Sequence, residues 1–314
     1  MFVEPDPGYR DAYEIDDEDA GPEDVTLEED GEGTFVAHEL PPRRHDRDVW
    51  FIDGVRRTDA RVHEIDDVGR TMRGLAGSFG VGGVCCRANC RPTFEHLAVH
   101  RRLIWTHGFD AELPEVSGWF WPVDPLTATT ADVLLQRLQN EMRRAEAVLA
   151  AKLVSGSALI VRDGPLLRLH GVVRDVTGLV KSHNKPHLPP DLHRTVPSTL
   201  AVGQRTTLFS LRDDVWACYL RLPTVGRVGP WAGIVRIDLP AAGGMGAVVA
   251  LADEVCAHIV NYPGVAHIDP RAPANLQTIG ALERQLRHLL GDPIGALRAC
   301  RDAALLYERA RGAA

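Results

Sequence analysis

The sequence predicts an α/β protein, with a mixed β-sheet flanked by helices and additional helices toward the C-terminal end. Three features of the chain indicate this class: strand-like apolar runs in the first third, one long amphipathic helix after them, and further strand-like runs before a helical final quarter. This order combines antiparallel neighbours with strands that are reached through a helical crossover. The 314 residues, 45% of them hydrophobic, are enough for a sizeable core.

The N-terminal 33 residues are strongly acidic and differ from the rest of the chain. They hold 14 Asp and Glu residues against one Arg, although the net charge of the whole chain is only -8. High charge with few large apolar residues predicts a disordered tail over 1–33, either a solubilising extension or a nucleic-acid mimic. A linker over 34–48 and a folded domain over 49–314 follow. That domain is mildly basic, which is compatible with a polyanionic substrate.

The first strands of the domain are predicted to form an antiparallel meander. Residues 49–53 are an apolar run, 56–65 alternate between polar and apolar, and 77–86 are rich in glycine and apolar residues. Alternation with a period of two is typical of half-buried strands. We therefore expect three strands here, the first of which ends at Asp53.

A long amphipathic helix is predicted over residues 130–154, with an N-cap at Thr129 or Thr130. At 100° per residue, Glu141 and Glu146 lie on opposite borders of its apolar stripe, so helical geometry alone does not decide which of them reaches the sheet. The residues of that stripe are Leu135, Leu138, Met142, Ala145 and Leu149.

The remaining elements follow from the same patterns. Strands are predicted at 158–162, 171–176, 179–180, 216–222 and 231–239, and the prolines within 184–206 indicate a loop. Helices are predicted over 245–260, 275–290 and 293–311, the second of which is ended by Gly291.

Two Asp-Gly pairs each follow an apolar strand, at Asp53 and at Asp163. Asp-Gly is a common turn signal, but an acidic residue at the end of a buried strand also suits a metal ligand. If the two strands are neighbours and the helix of Glu146 packs beside them, three carboxylates meet in one cleft. Clustered carboxylates repel one another unless cations neutralise them, and Mg²⁺ or Mn²⁺ prefers oxygen ligands. Two such ions support hydrolysis of a phosphodiester bond.

These residues and their neighbours resemble the NurA nucleases, DNA-end-processing enzymes that work with the HerA hexameric ATPase. Three features carry the resemblance: Phe-Ile-Asp-Gly at Asp53, Glu146 placed 17 residues before Asp163, and Asp-Gly-Pro-Leu at Asp163 followed by Gly-Leu-Val-Lys-Ser at Lys181. The resemblance covers about residues 49–290. It implies an RNase H-like core, a homodimer, hydrolysis of DNA with Mn²⁺ or Mg²⁺, and a HerA-like hexameric ATPase as partner.

The resemblance also implies roles for single residues. The metal carboxylates would be Asp53, Glu146 and Asp163, and the spacing favours Glu146 over Glu141. Lys181 matches the family lysine and would contact a phosphate oxygen. Two arginines that follow Asp53 are further candidates for phosphate contacts, Arg56 and Arg57.

The last metal ligand of the family is missing from its usual place. Many members have a His after a Tyr-Pro-x-Pro-Leu segment, whereas the corresponding stretch of this chain, residues 272–280, contains no His. His267 and Asp269 before the last-quarter helix, and Glu283 one turn into it, are the candidates to replace that ligand.

A zinc site is a weaker alternative. Four possible ligands lie close in sequence, Cys86, Cys90, His96 and His100, but their middle spacing is much shorter than in a zinc finger. The six cysteines show no disulfide pattern, and no leader or membrane span is readable, so we expect reduced thiols in a cytoplasmic protein that does not enter a membrane.

Two other functions stay open beside a DNA nuclease. The missing His and the acidic tail are compatible with a catalytically inactive RNase H-like dimeric adaptor for the HerA-type motor. An RNA-cleaving enzyme is the third possibility, because an RNase H-like fold does not discriminate between the two nucleic acids.

Overall fold

The computed structural model describes residues 1–4, 25–28, 35–44, 46–66, 68–154, 158–166, 175–182, 186–212, 214–224, 229–269 and 271–312. Within those residues, twelve strands form one mixed sheet and five helices pack against it. The predicted α/β class, with flanking and C-terminal helices, is confirmed. No helix among the described residues is both long and apolar enough to cross a membrane.

The strands and helices are numbered separately in chain order. The strands are Phe2–Glu4 (β1), Ala37–Glu39 (β2), Val49–Ile65 (β3), Thr71–Cys86 (β4), Thr93–Trp105 (β5), Val123–Pro125 (β6), Leu159–Asp163 (β7), Val176–Val180 (β8), Gln204–Thr206 (β9), Phe209–Arg212 (β10), Val215–Arg221 (β11) and Ile234–Pro240 (β12). The helices are Asp132–Leu153 (α1), Pro190–Thr199 (α2), Met245–Ile259 (α3), Gln277–Leu289 (α4) and Pro293–Gly312 (α5).

The sheet order is β2-β9-β11-β12-β8-β7-β3-β4-β5-β6, with β1 paired to β3 and β10 to β11. Strands β3, β4 and β5 are antiparallel neighbours, which confirms the predicted meander. Strand β7 then lies parallel to β3, and β8 lies parallel to β7. A parallel neighbour needs a crossover connection, and α1 supplies it between β5 and β7.

Different apolar clusters pack on the two faces of the sheet, and the site lies between two of them. Along β3, Phe51 belongs to the cluster that includes α3 and α4, and Ile52 belongs to the cluster that includes α1. Successive side chains of a strand point to opposite faces, so the apolar run divides between the two cores. Helix α1 lies very close to the sheet, because a Cβ at Gly77 would be 2.5 Å from Cδ2 of Leu138. Gly77 of β4 therefore lets α1 approach.

Two predictions about the meander are wrong in their boundaries. The strands predicted at 49–53 and 56–65 are one continuous strand, β3, since Asp53 and Gly54 stay paired with Gly82 and Val81 of β4. Strand β4 begins at Thr71 rather than at Gly77. Continuous pairing with β4 thus overrides the local turn signal of Asp-Gly, although the pairing of β3 with β7 ends at Ile52.

The helices at the end of the chain are confirmed to within two residues. Helix α1 begins two residues later than predicted, and its N-cap residue Ala131 makes no side-chain capping bond, so the predicted Thr cap is wrong. The predicted loop over 184–206 contains α2. Pro190 begins that helix, where a missing N–H costs no intrahelical hydrogen bond.

Two parts of the predicted disordered tail are ordered. Residues 2–4 pair with Arg61–His63 of β3, and Leu27 forms an isolated bridge with Phe209. The buried Glu28 accepts from the backbone N–H of Leu208 at 3.0 Å and forms an ion pair with Arg205. The tail prediction for 5–24 and 29–33, and most of the strand predicted at 171–176, lie outside the described residues.

Candidate metal centre

Asp53 and Asp163 lie side by side on neighbouring parallel strands. The register pairs Ile52 with Arg162, which places the next residues of the two strands next to each other. Strand β7 ends at Asp163, one residue later than predicted, whereas β3 continues for twelve residues beyond Asp53. Phe51 and Val161 precede the two aspartates by two positions and both belong to the core beneath α4. Both carboxylates therefore point to the face of the sheet that α4 covers.

Glu283 of α4 completes a group of three carboxylates on this face. One oxygen from each of Asp53, Asp163 and Glu283 lies within 4.8 Å of the other two. Asp53 and Glu283 are buried and Asp163 is partly buried, at the floor of a cleft of about 800 Å³. Of the three residues proposed to replace the missing His, Glu283 is the one that the fold brings to the aspartates.

Two oxygens of this group have no hydrogen-bond partner among the described residues. They are Oδ2 of Asp53 and Oδ1 of Asp163, and both are buried. Buried polar atoms are nearly always hydrogen-bonded, and an orphaned carboxylate oxygen in a cluster of carboxylates fits an absent cation. An all-oxygen set suits a hard cation such as Mg²⁺ or Mn²⁺. The residues present thus fit the predicted metal.

The charge environment of Asp53 also favours a bound cation. Burial raises the pKa of Asp53 well above its ordinary value, and the nearby carboxylate of Asp163 raises it further. The ammonium group of Lys181 acts in the opposite sense but does not offset these two effects. A bound divalent cation would favour the charged form of Asp53, so the charged site is incomplete without a counter-ion.

Glu146 reaches the same cleft from the other face of the sheet. It is buried on α1, and a Cβ at Gly54 would lie 2.5 Å from its Oε1, so Gly54 leaves the space that the carboxylate occupies. Nη2 of the buried Arg162 donates to Oε2 of Glu146 at 3.3 Å. Burial raises the pKa of Glu146 to about 7, although the charge of Arg162 lowers it. Glu146 is not a member of the close group of three.

Lys181 and Arg271 hold the cluster through direct contacts. Nζ of Lys181 donates to Oδ2 of Asp163 and, at 2.8 Å, to Oδ1 of Asn275. Arg271 makes two hydrogen bonds to the carboxylate of Glu283, at 3.0 and 2.6 Å. Nη2 of Arg287, one turn further along α4, also approaches Oε2 of Glu283, at 3.5 Å. The network therefore places Lys181 on Asp163 and two arginines on Glu283, and Asp53 receives none of these contacts.

Asp269 belongs to this network but does not join the cluster. Its Oδ2 accepts from Nδ2 of Asn275 at 2.6 Å and from Nη2 of Arg271 at 3.0 Å. Burial raises the pKa of Asp269, yet these hydrogen bonds bring it well below its ordinary value. Asp269 thus orients Asn275 and Arg271. The prediction that Asp269 binds the metal is not supported. His267 is exposed outside the cleft.

The loop after Asp163 is fixed by its neighbours. Gly164 has a φ of +96°, as the predicted Asp-Gly turn requires. Gly178 of β8 packs directly against this loop, since a Cβ there would lie 2.8 Å from the carbonyl oxygen of Gly164 and from the amide nitrogen of Leu166. The N–H of Leu166 donates to Oδ2 of the buried Asp238 at 3.1 Å. The glycine of Gly-Leu-Val-Lys-Ser is therefore needed for close packing of backbone on backbone.

The two arginines predicted to contact phosphate have other partners. Arg57 donates to Oδ1 of Asp59 and to the carbonyl oxygens of Leu290 and Gly291, at 2.8, 3.2 and 2.6 Å, and does not line the cleft. It binds the C-terminal end of α4, so the structure does not bring it to the site. Arg56 donates to the side chain of Gln139, which does line the cleft. Arg56 therefore contacts a residue of the cleft, Gln139, but does not line the cleft itself.

Several cleft residues were not predicted from the sequence. Arg143 and Arg144 of α1 line the cleft, as do Arg271 and Gln139. Arg143 stands three residues before Glu146, about one helical turn, so helical spacing alone could have placed it near that carboxylate. Arg144 is only two residues away, and its place at the cleft does not follow from that spacing. No local pattern marks Arg271, which reaches Glu283 only through the fold. Glu141, the alternative to Glu146, pairs instead with Arg137 at 3.4 Å, outside this cleft.

The possible zinc ligands do not assemble in the described part of the chain. Cys86 is buried and Cys90 is exposed, and the two imidazoles contact aromatic rings instead. His96 lies 5.7 Å from the ring of Trp50, and His100 stacks on Phe79 at 5.0 Å. The six cysteines are free, consistent with the expected thiols.

Comparison with known proteins assigns no family to this chain. The chain matches no protein-family model, and a search of curated proteins finds no significant match. The resemblance to the NurA nucleases therefore stays a prediction from the motifs, and the carboxylate cleft is the observation on which a function can be based.

Proposed function

We propose that this protein is a divalent-metal-dependent nuclease that hydrolyses phosphodiester bonds of DNA. The observation that carries the proposal is the group of Asp53, Asp163 and Glu283, with two buried oxygens that have no hydrogen-bond partner among the described residues. Turn formation explains neither those oxygens nor the raised pKa of Asp53, which burial causes and Asp163 increases. A hard cation would bind the two orphaned oxygens and hold Asp53 in its charged form.

The sheet order supports an RNase H-like core. Strands β3, β4 and β5 form an antiparallel meander, β7 and β8 continue the sheet parallel to β3, and α1 connects the two parts. An RNase H-like core has this arrangement, with carboxylates on the first strand and on the strand beside it. The strands from β12 to β2 extend the sheet beyond that core.

The carboxylates would hold the metal, and the cationic side chains would hold the DNA. When bound, a divalent cation would make a water molecule more acidic and would neutralise charge on the scissile phosphate. Mg²⁺ uses one or two carboxylates per ion, so the three cluster carboxylates together with Glu146 suffice for the two-metal mechanism that we expect. Lys181 lies beside Asp163 as a point charge for a phosphate oxygen. Arg143 and Arg144 at the cleft would contact flanking phosphates.

Isosteric substitutions test this proposal directly. Asp53→Asn, Asp163→Asn and Glu283→Gln each remove one ligand charge at constant size, and each is expected to lower the rate of Mn²⁺-dependent DNA degradation at least ~100-fold. Asp110→Asn is the matched control, since Asp110 is exposed and lies outside the cleft. Calorimetric titration with Mn²⁺ should show binding to the wild type and loss of affinity in the three variants. Full cleavage by both aspartate variants would refute the proposal.

The same titration separates the enzyme from the inactive adaptor. An adaptor should neither bind Mn²⁺ at millimolar concentration nor cleave DNA, whereas the orphaned oxygens of Asp53 and Asp163 favour binding. Following the resemblance, we extend the proposal to DNA end processing by a homodimer that works with a HerA-like hexameric ATPase. Matched DNA and RNA strands, digested side by side, test the choice of substrate.

A further inference from the structure

A second groove lies beside the carboxylate cleft. It has a volume of about 510 Å³ and runs between helix α1 and strand β5, on the face of the sheet opposite α4. Arg144 lines both the cleft and the groove, so the two are adjacent at this side chain. No step of the proposed hydrolysis uses the groove. A chain molecule that is bound in the cleft and continues along α1 would enter this groove.

The groove is lined mainly by cationic and imidazole side chains. Three positive groups line it, Arg102, Arg144 and Lys152, together with the imidazoles of His96 and His100. Its one carboxylate, Glu141, already forms an ion pair with Arg137 at 3.4 Å. In the described part of the chain, neither Arg144 nor Lys152 has a carboxylate within ion-pair distance. The groove therefore presents positive charge that the protein itself does not neutralise.

The floor of the groove is apolar. Phe79, Val81 and Leu149 are buried beneath it, and Val148 lies on its wall with 64% of its surface exposed. An exposed valine next to buried apolar side chains offers a surface against which a flat ring can pack. Single-stranded nucleic acids bind where cationic side chains hold the phosphates and accessible rings or apolar groups hold the bases. The accessible groups in this groove are Val148 and the imidazoles of His96 and His100, which lie above the buried floor.

We propose that this groove binds a single strand of DNA as it extends from the carboxylate cleft along α1. The inference rests on the proposed nuclease function and adds a substrate-binding surface to it. Arg144 and Lys152 are eight residues apart on α1, which corresponds to about 12 Å along the helix axis. The strand would pass Arg144 at the border of the cleft and reach Lys152 at the far end. A duplex keeps its bases stacked and paired inside, so its bases cannot pack against Val148 or the imidazoles.

Binding without cleavage tests the groove separately from catalysis. Fluorescence anisotropy of a labelled thymidine oligonucleotide, measured in EDTA, gives the affinity of the wild type and of the double variant Arg102→Gln/Lys152→Gln. Both residues line the groove and neither lines the cleft. Arg298→Gln is the matched control, because Arg298 is exposed on α5. Thermal unfolding should first establish that the double variant is folded.

The double variant is expected to bind the single strand about tenfold more weakly than the wild type. Loss of two phosphate contacts should also reduce the slope of log affinity against log salt by about 1.4. Arg298→Gln should change neither quantity, and a blunt duplex should compete poorly. Equal affinity of the wild type and the double variant, or equal competition by the duplex, would overturn the inference.

Failure of the groove and failure of the nuclease proposal give different results. Mn²⁺-dependent cleavage by the wild type, together with unchanged affinity in the double variant, would overturn the groove alone. Strand binding that depends on Arg102 and Lys152, in a protein that does not cleave DNA with Mn²⁺, would overturn the nuclease proposal and support the groove.

Discussion

Replacement of Glu146 by Gln should change how the stability of the metal-free protein depends on pH. Burial raises the pKa of Glu146 from 4.5 to about 7, and Arg162 only partly opposes this. The folded protein therefore keeps a proton between these two pH values that the unfolded chain has lost. The free energy of unfolding consequently falls as the pH rises from about 4.5 to 7, and it stays at the lower value above 7.

The size of this effect follows from the shift. One pKa unit is worth about 1.4 kcal/mol, so a carboxyl moved from 4.5 to about 7 makes the wild type on the order of 3 kcal/mol less stable at pH 8 than at pH 4. Glu146→Gln removes this contribution. Gln still accepts the hydrogen bond of Arg162. The stability lost because Arg162 no longer faces a carboxylate does not vary over this range of pH, since the guanidinium stays charged throughout. The difference between the two stability curves therefore reports the titration of Glu146, together with its effect on Asp53, whose pKa the charge of Glu146 also raises.

Urea unfolding in EDTA at several pH values between 4 and 8 measures this difference. The stability of the wild type relative to that of Glu146→Gln should decrease across the range by about 3 kcal/mol, with similar m-values for both proteins. Glu141→Gln is the matched control, because it removes the same charge from the same helix outside the cleft. Parallel curves for the wild type and Glu146→Gln would refute the reasoning.

Three further predictions concern the structure that supports the site. Gly178→Ala should lower the free energy of unfolding by about 1 to 3 kcal/mol and lower Mn²⁺ affinity, because the added Cβ would lie 2.8 Å from backbone atoms of the loop after Asp163. Gly246→Ala is its control, since a Cβ there meets open space, and urea unfolding should show it to be neutral or stabilising. Asp238→Ala should cost about 3 kcal/mol or more in the same assay, since it breaks the buried ion pair with Arg236. Arg57→Ala should cost about 1 to 2 kcal/mol through its lost bonds to α4 and leave DNA affinity in anisotropy titrations at the wild-type value.

The two Asp-Gly pairs show what a local pattern can predict. Both follow apolar strands, yet at Asp163 the strand ends in a turn with a positive φ at Gly164, and at Asp53 the strand continues. The difference is tertiary, because β4 pairs with β3 on both sides of Gly54 and Glu146 occupies the space where a side chain would be. The sequence thus singled out two aspartates that the fold places on neighbouring strands, a condition that the sequence left open, and the turn interpretation holds for Gly164 but not for Gly54.

The choice among acidic residues on helices depended on packing that the sequence does not show. Helical geometry left Glu141 and Glu146 equivalent at the two borders of the α1 stripe, and the fold buries Glu146 over Gly54 while Glu141 pairs with Arg137. Glu283 was one of three candidates for the last ligand. Its selection required knowing that α4 covers the face to which Asp53 and Asp163 point. Spacing along the chain carries no information about that contact.

The partners of the three cluster carboxylates indicate where a cation would bind first. Lys181 contacts Asp163 and the half-exposed Arg271 contacts Glu283, so a cation has to compete for one oxygen of Asp163 and for both oxygens of Glu283. It has no such competitor at Oδ2 of Asp53 or at Oδ1 of Asp163. Binding should therefore begin between the two aspartates and reach Glu283 only as Arg271 moves away. An arginine released in this way is charged, partly exposed and at the border of the cleft, where the phosphates of a bound strand would take the place of Glu283 as its partner.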